Sequence, residues 1–213
     1  MKAVALGMQK GGVSKSTVAI HLACAAERAG HSAALIDMDA EQGTAMNWGK
    51  RRKDRPGGPR VMASDVRSLA SDLVQLGAES VEWCFLDLPG RNAPAANAGL
   101  SAAGFVLVPL RPLDVDLEAS IDTIRAIKRA GKRYAYQLSI CPPQVNASRA
   151  RKFAEELRKA GHPVSPIIII QRIAVPDAVA QGLCVCEAEP AGASAAEFAD
   201  LFQWLKNELE VKP

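Results

Sequence analysis

Much of what would mark a specialised chain is missing from this sequence. No apolar stretch approaches the roughly 18 residues that a bilayer-spanning helix needs, which excludes such a helix. The first residues carry one lysine and pass directly into a strand-like run, without the apolar h-region and small-residue cleavage site of a secretory signal. The chain is therefore expected to be soluble and cytoplasmic. No internal repeat and no low-complexity tract is present, which excludes a repeat array. Five cysteines make an odd count, and no pair has the CxxC spacing of common zinc and redox motifs. Reduced, buried thiols in a reducing compartment are the expectation, with Cys184 and Cys186 on one side if that stretch is a strand. A net charge of +3 is too small to mark a nucleic-acid binder by itself.

What is present suits an ordinary globular protein: 213 residues, 48% apolar and 23% charged. This length stays below the size at which cores stop growing and split, so residues 1–213 are expected to form a single domain. Short apolar runs alternate with helical patterns. Strands are expected at 3–6, 32–36, 83–86, 105–109, 134–140 and 167–170, with a helix over 16–28 and a closing amphipathic helix over 191–209. The runs are continuous rather than alternating, as in strands buried on both faces. The expected fold class is α/β: a doubly wound, mostly parallel sheet with helices on both faces. The stretch 51–60, RRKDRPGGPR, reads as an exposed loop.

The chemistry concentrates between the first strand and the first helix. There stand Gln9, Lys10, Gly11, Gly12, Val13, Ser14, Lys15, Ser16 and Thr17. Backbone N–H groups of such a loop, with a helix N-terminus, bind phosphate; a lysine reaches the outer phosphates, and a Ser/Thr hydroxyl holds Mg2+. The strict pattern GxxxxGK[ST] fails at Gln9 and Ser14, while KGGxxK[ST], with an additional early lysine, matches. Serine where glycine is usual restricts close backbone approach to phosphate.

These residues resemble the deviant P-loop ATPases of the ParA/MinD family, and within it the short ParA-like partition proteins. The resemblance covers nearly the whole chain. It implies ATP and Mg2+ as cofactors, ATP hydrolysis to ADP and phosphate, and an ATP-dependent homodimer in which Lys10 reaches the partner subunit's nucleotide. It also implies Gly11, Gly12, Val13, Ser14, Lys15, Ser16 and Thr17 around the phosphates, with Lys15 and Lys10 neutralising charge and Ser16 on the metal.

The stretch from Ile36 to Gln42, IDMDAEQ, resembles the family's first switch, with Asp39 as the residue that orients the attacking water and Ala40 where a proline is usual. The stretch from Cys84 to Gly90, CFLDLPG, resembles the Walker B strand and second switch. Asp87 then meets Mg2+ through water. Val108 to Asp114 resembles the family's strand-end proline segment, and Gln171 to Gly182 its adenine-side stretch, which adds Arg172 to the nucleotide-binding set.

Basic residues gather at 128–133 and 149–159. The resemblance suggests that they form a non-specific DNA surface in the ATP dimer, released when a ParB-like partner stimulates hydrolysis, in a nucleoid-associated protein that positions DNA or a protein cargo. A MinD-like membrane switch is the alternative, but the mixed-charge tail after Leu205 argues against stable membrane association. A metabolic P-loop enzyme or a metallocluster ATPase is a further alternative.

Overall fold

The computed structural model describes residues 1–210 other than Asp54, Asn92, Gln144 and Val145. Seven parallel strands run in the order β3-β2-β4-β1-β5-β6-β7. They are β1 (Lys2–Leu6), β2 (Ala33–Asp37), β3 (Arg60–Ala63), β4 (Trp83–Asp87), β5 (Phe105–Leu110), β6 (Arg133–Cys141) and β7 (Val164–Ile170). The helices are α1 (Lys15–Arg28), α2 (Thr44–Arg51), α3 (Leu69–Ala78), α4 (Ala93–Ala102), α5 (Asp114–Arg129), α6 (Asn146–Lys159), α7 (Ala174–Ala180), α8 (Val185–Ala188) and α9 (Ala193–Glu210). The doubly wound α/β expectation holds, and the sheet is wholly parallel.

Successive strand residues point to opposite faces, and the core divides accordingly. Val4, Leu6, Leu35, Phe85 and Leu107 pack with α1, α7, α8 and α9 on one face. Ala5, Ile36, Leu86, Val106 and Val108 pack with α3, α4, α5 and α6 on the other. Both faces are covered, which explains the continuous apolar runs. The closing helix behaves as its spacing predicts: Phe198, Leu201, Phe202 and Leu205 are buried.

Three local readings need correction. The polar stretch after β2 contains α2, and β3 lies at the sheet edge, where only partial burial leaves a weak apolar signal. Within 51–60, which includes the undescribed Asp54, Arg52 is 5% exposed. Its guanidinium donates to both Glu187 carboxylate oxygens at 3.0 and 2.9 Å. Cys184 and Cys186 do not share a strand: Cys184 caps α8 and Cys186 lies inside it. All five cysteines are free and buried, as expected.

Candidate nucleotide site

β1 is central in the sheet, so the loop after it opens at the middle of the strands' carboxyl edge, where parallel α/β sheets bind ligands. The loop is tightly bent, with Gly12 at φ +73° and Ser14 at φ +70°. Glycine adopts that region freely; serine there costs roughly 1–2 kcal/mol. The bend launches α1, whose first turn closes with Val18 N–H donating to the Ser14 carbonyl at 2.8 Å. The first N–H groups of α1 then have no intrahelical acceptor. They stand at a cavity of about 660 Å3 lined by Gly11, Gly12, Lys15, Ser16, Thr17 and Asp39, among others.

Lys15 is 9% exposed, and its ammonium donates to the Lys10 carbonyl at 3.2 Å. Burial pulls its pKa down against the opposing charges of Asp87 and Asp39. The second switch comes close: a Cβ built on Gly90 would lie 3.4 Å from Lys15 Nζ.

Opposite the lysine, Asp37 and Asp87 end adjacent parallel strands in direct register. Asp37 is held by the N–H groups of Asp39 at 3.0 Å and Met46 at 2.9 Å; burial raises its pKa against those bonds. Asp87 is 1% exposed, and neither of its oxygens has a hydrogen-bond partner among the described residues. Burial pushes it up to about 7; the Ser16 hydroxyl opposes this, while Asp37 adds to it. A buried carboxylate without a partner is costly. A hard cation beside Ser16 and Asp87 relieves that cost through oxygen ligands, so the residues fit Mg2+.

A second cavity of about 620 Å3 adjoins the first at Ser14 and Thr17 and is mostly apolar, with Ile140, Pro142, Ile173, Val175 and Phe198 in its wall. Phosphate groups fit the first cavity and a flat base the second. Ile140 borders both and has φ +53°, a strained value for a β-branched residue.

Residues 4–185 match the family model described as the CobQ/CobB/MinD/ParA nucleotide binding domain. The chain belongs to this family. Chromosome partitioning protein ParA of Caulobacter vibrioides is 30% identical over 146 residues, 68% of this chain and 49% of the relative. The chain thus spans about half the length of the ParA relatives it matches. Maintenance of carboxysome distribution protein A of Gloeobacter kilaueensis is 30% identical over 188 residues, 87% of this chain and 84% of the relative. Among solved structures, a Cyanothece McdA variant with ATP superposes with a TM-score of 0.75 at 16% identity, covering 97% of this chain and 96% of that one. MinD of Pyrococcus horikoshii with Mg-ADP gives 0.75 at 15% identity, covering 100% and 98%. These two neighbours hold ATP and Mg-ADP respectively, and the family model is that of a nucleotide binding domain.

Within this ParA/MinD-type chain, the predicted residues largely assemble. Gly11, Gly12, Ser14, Lys15, Ser16, Thr17 and Asp39 line the phosphate-sized cavity. Val13 is buried beneath it, and Asp87 faces Lys15 electrostatically. Arg172 lines the apolar cavity, but its guanidinium is engaged by Glu197 at 2.7 and 2.8 Å. Lys10 turns toward α5, where its ammonium meets Asp116 Oδ1 at 2.6 Å.

Several residues escaped the sequence reading. Asp37 stands two places before Asp39 in the same motif, and its place at a strand end was the available signal. Arg111, the bidentate partner of Asp116, stands within the Val108 to Asp114 segment, while Asp116 itself had no signal beyond an acidic start to α5. Nor did Thr123, whose hydroxyl accepts the Gln9 N–H at 3.1 Å.

Proposed function

We propose that this protein is an ATP-dependent dimerising switch that hydrolyses ATP slowly, binds DNA without sequence preference as the ATP dimer, and positions DNA or a protein cargo. A ParB-like partner that stimulates hydrolysis releases it, and its location is the nucleoid. The observation that carries this reading is one loop that supplies two lysines, Lys15 turned inward and Lys10 at its rim, against the buried carboxylates Asp37 and Asp87.

Phosphoryl transfer asks mainly for positioning and charge neutralisation. Lys15 and the α1 N–H groups hold the outer phosphates, with Thr17 beside them. Ser16 and Asp87 would hold Mg2+, which would supply charge neutralisation at the phosphate oxygens. Asp39, at the cavity rim, orients the attacking water. Lys10 leaves Asp116 and reaches the partner subunit's nucleotide, which makes dimerisation depend on ATP.

The DNA reading rests on surface charge. Lys128 and Arg129 are exposed at the end of α5, and Arg149, Arg151, Lys152, Arg158 and Lys159 are exposed on α6. The two helices flank a common cavity, so their charges share one side of the molecule. Arg133 is engaged instead with Glu208 at 2.6 Å. The relatives named for chromosome partitioning and carboxysome distribution support a positioning role.

The test is DNA co-sedimentation with ATP, ADP or no nucleotide, at low and moderate salt, beside Lys10→Ala. ATP-dependent binding that weakens steeply with salt and disappears in the variant is the expected result. Binding under no nucleotide condition overturns the DNA reading.

A further inference from the structure

Below the phosphate loop, α1 carries a second group of polar side chains. Cys24, Cys184 and Cys186 share one buried cluster between α1 and α8. Cys24 Sγ, Cys184 Sγ and a Glu187 carboxylate oxygen lie within 4.8 Å of one another. Cys186 Sγ stands 2.8 Å from Cys184 Sγ. One helical turn before Cys24, His21 is 1% exposed. Its Nδ1 faces the Thr17 carbonyl at 2.7 Å. A carbonyl only accepts, so Nδ1 carries the hydrogen, and Nε2 of the neutral ring is left as a buried lone pair without a partner among the described residues.

A single buried thiol behaves as a small apolar side chain. Two thiols and a carboxylate within 4.8 Å of one another, with a third thiol 2.8 Å from one of them, do not, because together they offer the donor set of a tetrahedral thiophilic cation. We propose that Cys24, Cys184 and Glu187, joined by Cys186, hold a divalent cation of the zinc class that fastens α1 to α8.

The distances allow it. Two thiolates at about 2.3 Å from a tetrahedral zinc lie roughly 3.8 Å apart, which side-chain rotation reaches from the observed cluster. The charges allow it as well. Three thiolates and a carboxylate around a dication leave an excess of negative charge, and two arginines face it. Arg52 is buried and bidentate on Glu187; Arg28 is close enough to act on the Cys186 charge. Ions have an entry: Cys186 lines a groove of about 620 Å3 bordered by Ala25, Arg28 and Ala29 of α1.

The site ties two parts of the nucleotide pocket together. α1 begins at the phosphate loop, and α8 follows α7, whose Val175 and Pro176 wall the apolar cavity. A bound cation fixes the helix under the phosphates relative to the wall of the base pocket.

The experiment uses the full chain, reduced and stripped of metal, titrated with Co2+ and then displaced by Zn2+. The expected result is a thiolate-to-cobalt charge-transfer band with the intense visible bands of tetrahedral cobalt, saturating at about one metal per chain, and absent from a Cys24→Ser/Cys184→Ser double variant that still binds Mg-ATP. If that variant fails to fold, protection of the wild-type thiols by Zn2+ against a thiol reagent serves in its place. Cobalt spectra without those bands, or thiols that zinc leaves unprotected, overturn the proposal. So does a Cys184–Cys186 disulfide in the protein as isolated, seen as the loss of two hydrogens by mass spectrometry.

Discussion

The ammonium of Lys10 sits 2.6 Å from Asp116 Oδ1, and Asp116 is fully buried while Arg111 grips the same carboxylate at 2.6 and 2.8 Å. In the isolated chain, the lysine proposed to reach a partner subunit's nucleotide is held within its own subunit. Replacing Asp116 with Asn weakens that hold, because an ion pair becomes a hydrogen bond from a cation to a neutral amide oxygen. The ATP-dependent dimer of Asp116→Asn is expected at lower protein concentration than that of the unchanged chain, as read by sedimentation velocity. Dimerisation that is equal or weaker removes the restraining role.

The same carboxylate sets an acid limit. Burial alone raises the Asp116 pKa, but hydrogen bonds from Arg111 and Lys10 outweigh it and hold the group below its ordinary value of 3.8. With the folded pKa below the unfolded one, its contribution is complete above the unfolded value and is lost as pH falls through the folded one. Denaturant melts between about pH 5 and pH 2 should show a smaller acid loss in Asp116→Asn than in the unchanged protein.

Asp87 makes the opposite prediction. Its carboxyl is buried without a hydrogen-bond partner among the described residues and raised to about 7, so the metal-free fold is weakened by a charge that it does not satisfy. Asp87→Asn should melt at or above the unchanged temperature without ligand and gain nothing from Mg-ATP. Calorimetry with and without Mg-ATP checks both halves; a variant that melts lower without ligand contradicts the burial argument.

Ser14 holds a left-handed backbone that glycine takes without penalty. Ser14→Gly should stabilise the free protein by up to about 1 kcal/mol, with ATP affinity equal or higher. Gly12→Ala, at φ +73°, should do the reverse. Chemical denaturation of both variants distinguishes strain from mere loop tolerance.

In metal-free protein, Glu187→Ala leaves the Arg52 guanidinium buried without its counter-charge. Breaking a buried pair from one side costs about 3 kcal/mol or more, a loss that urea titration reads directly. The turn at Gly182 concentrates the damage: it packs against Arg51, where an added Cβ would lie 2.8 Å from backbone carbon, so the chain has little room to relax.

The legible parts of the fold were those whose burial is two-sided. β1, β4 and β5 announce themselves as continuous apolar runs because helices cover both faces of the sheet there. β3 does not: Arg60 to Ala63 lies at an edge, partly exposed, directly after a charged loop. The phosphate loop was legible because its chemistry is local in sequence. Asp116 and Arg52 were not, since Lys10 lies 106 residues from the first and Glu187 135 residues from the second. Alternation misled at Cys184 and Cys186, where residues two apart imitate a strand but the first begins a helical turn.

The phosphate loop leans on α5 twice, through Thr123 at Gln9 and through Asp116 at Lys10. That helix has 16 residues and so reaches about 24 Å, ending in the exposed Lys128 and Arg129. It is a lever with Lys10 at one arm and cationic side chains at the other. On the proposed reading, release of Asp116 by Lys10 would change the load on this lever, and its basic end would register which nucleotide is bound.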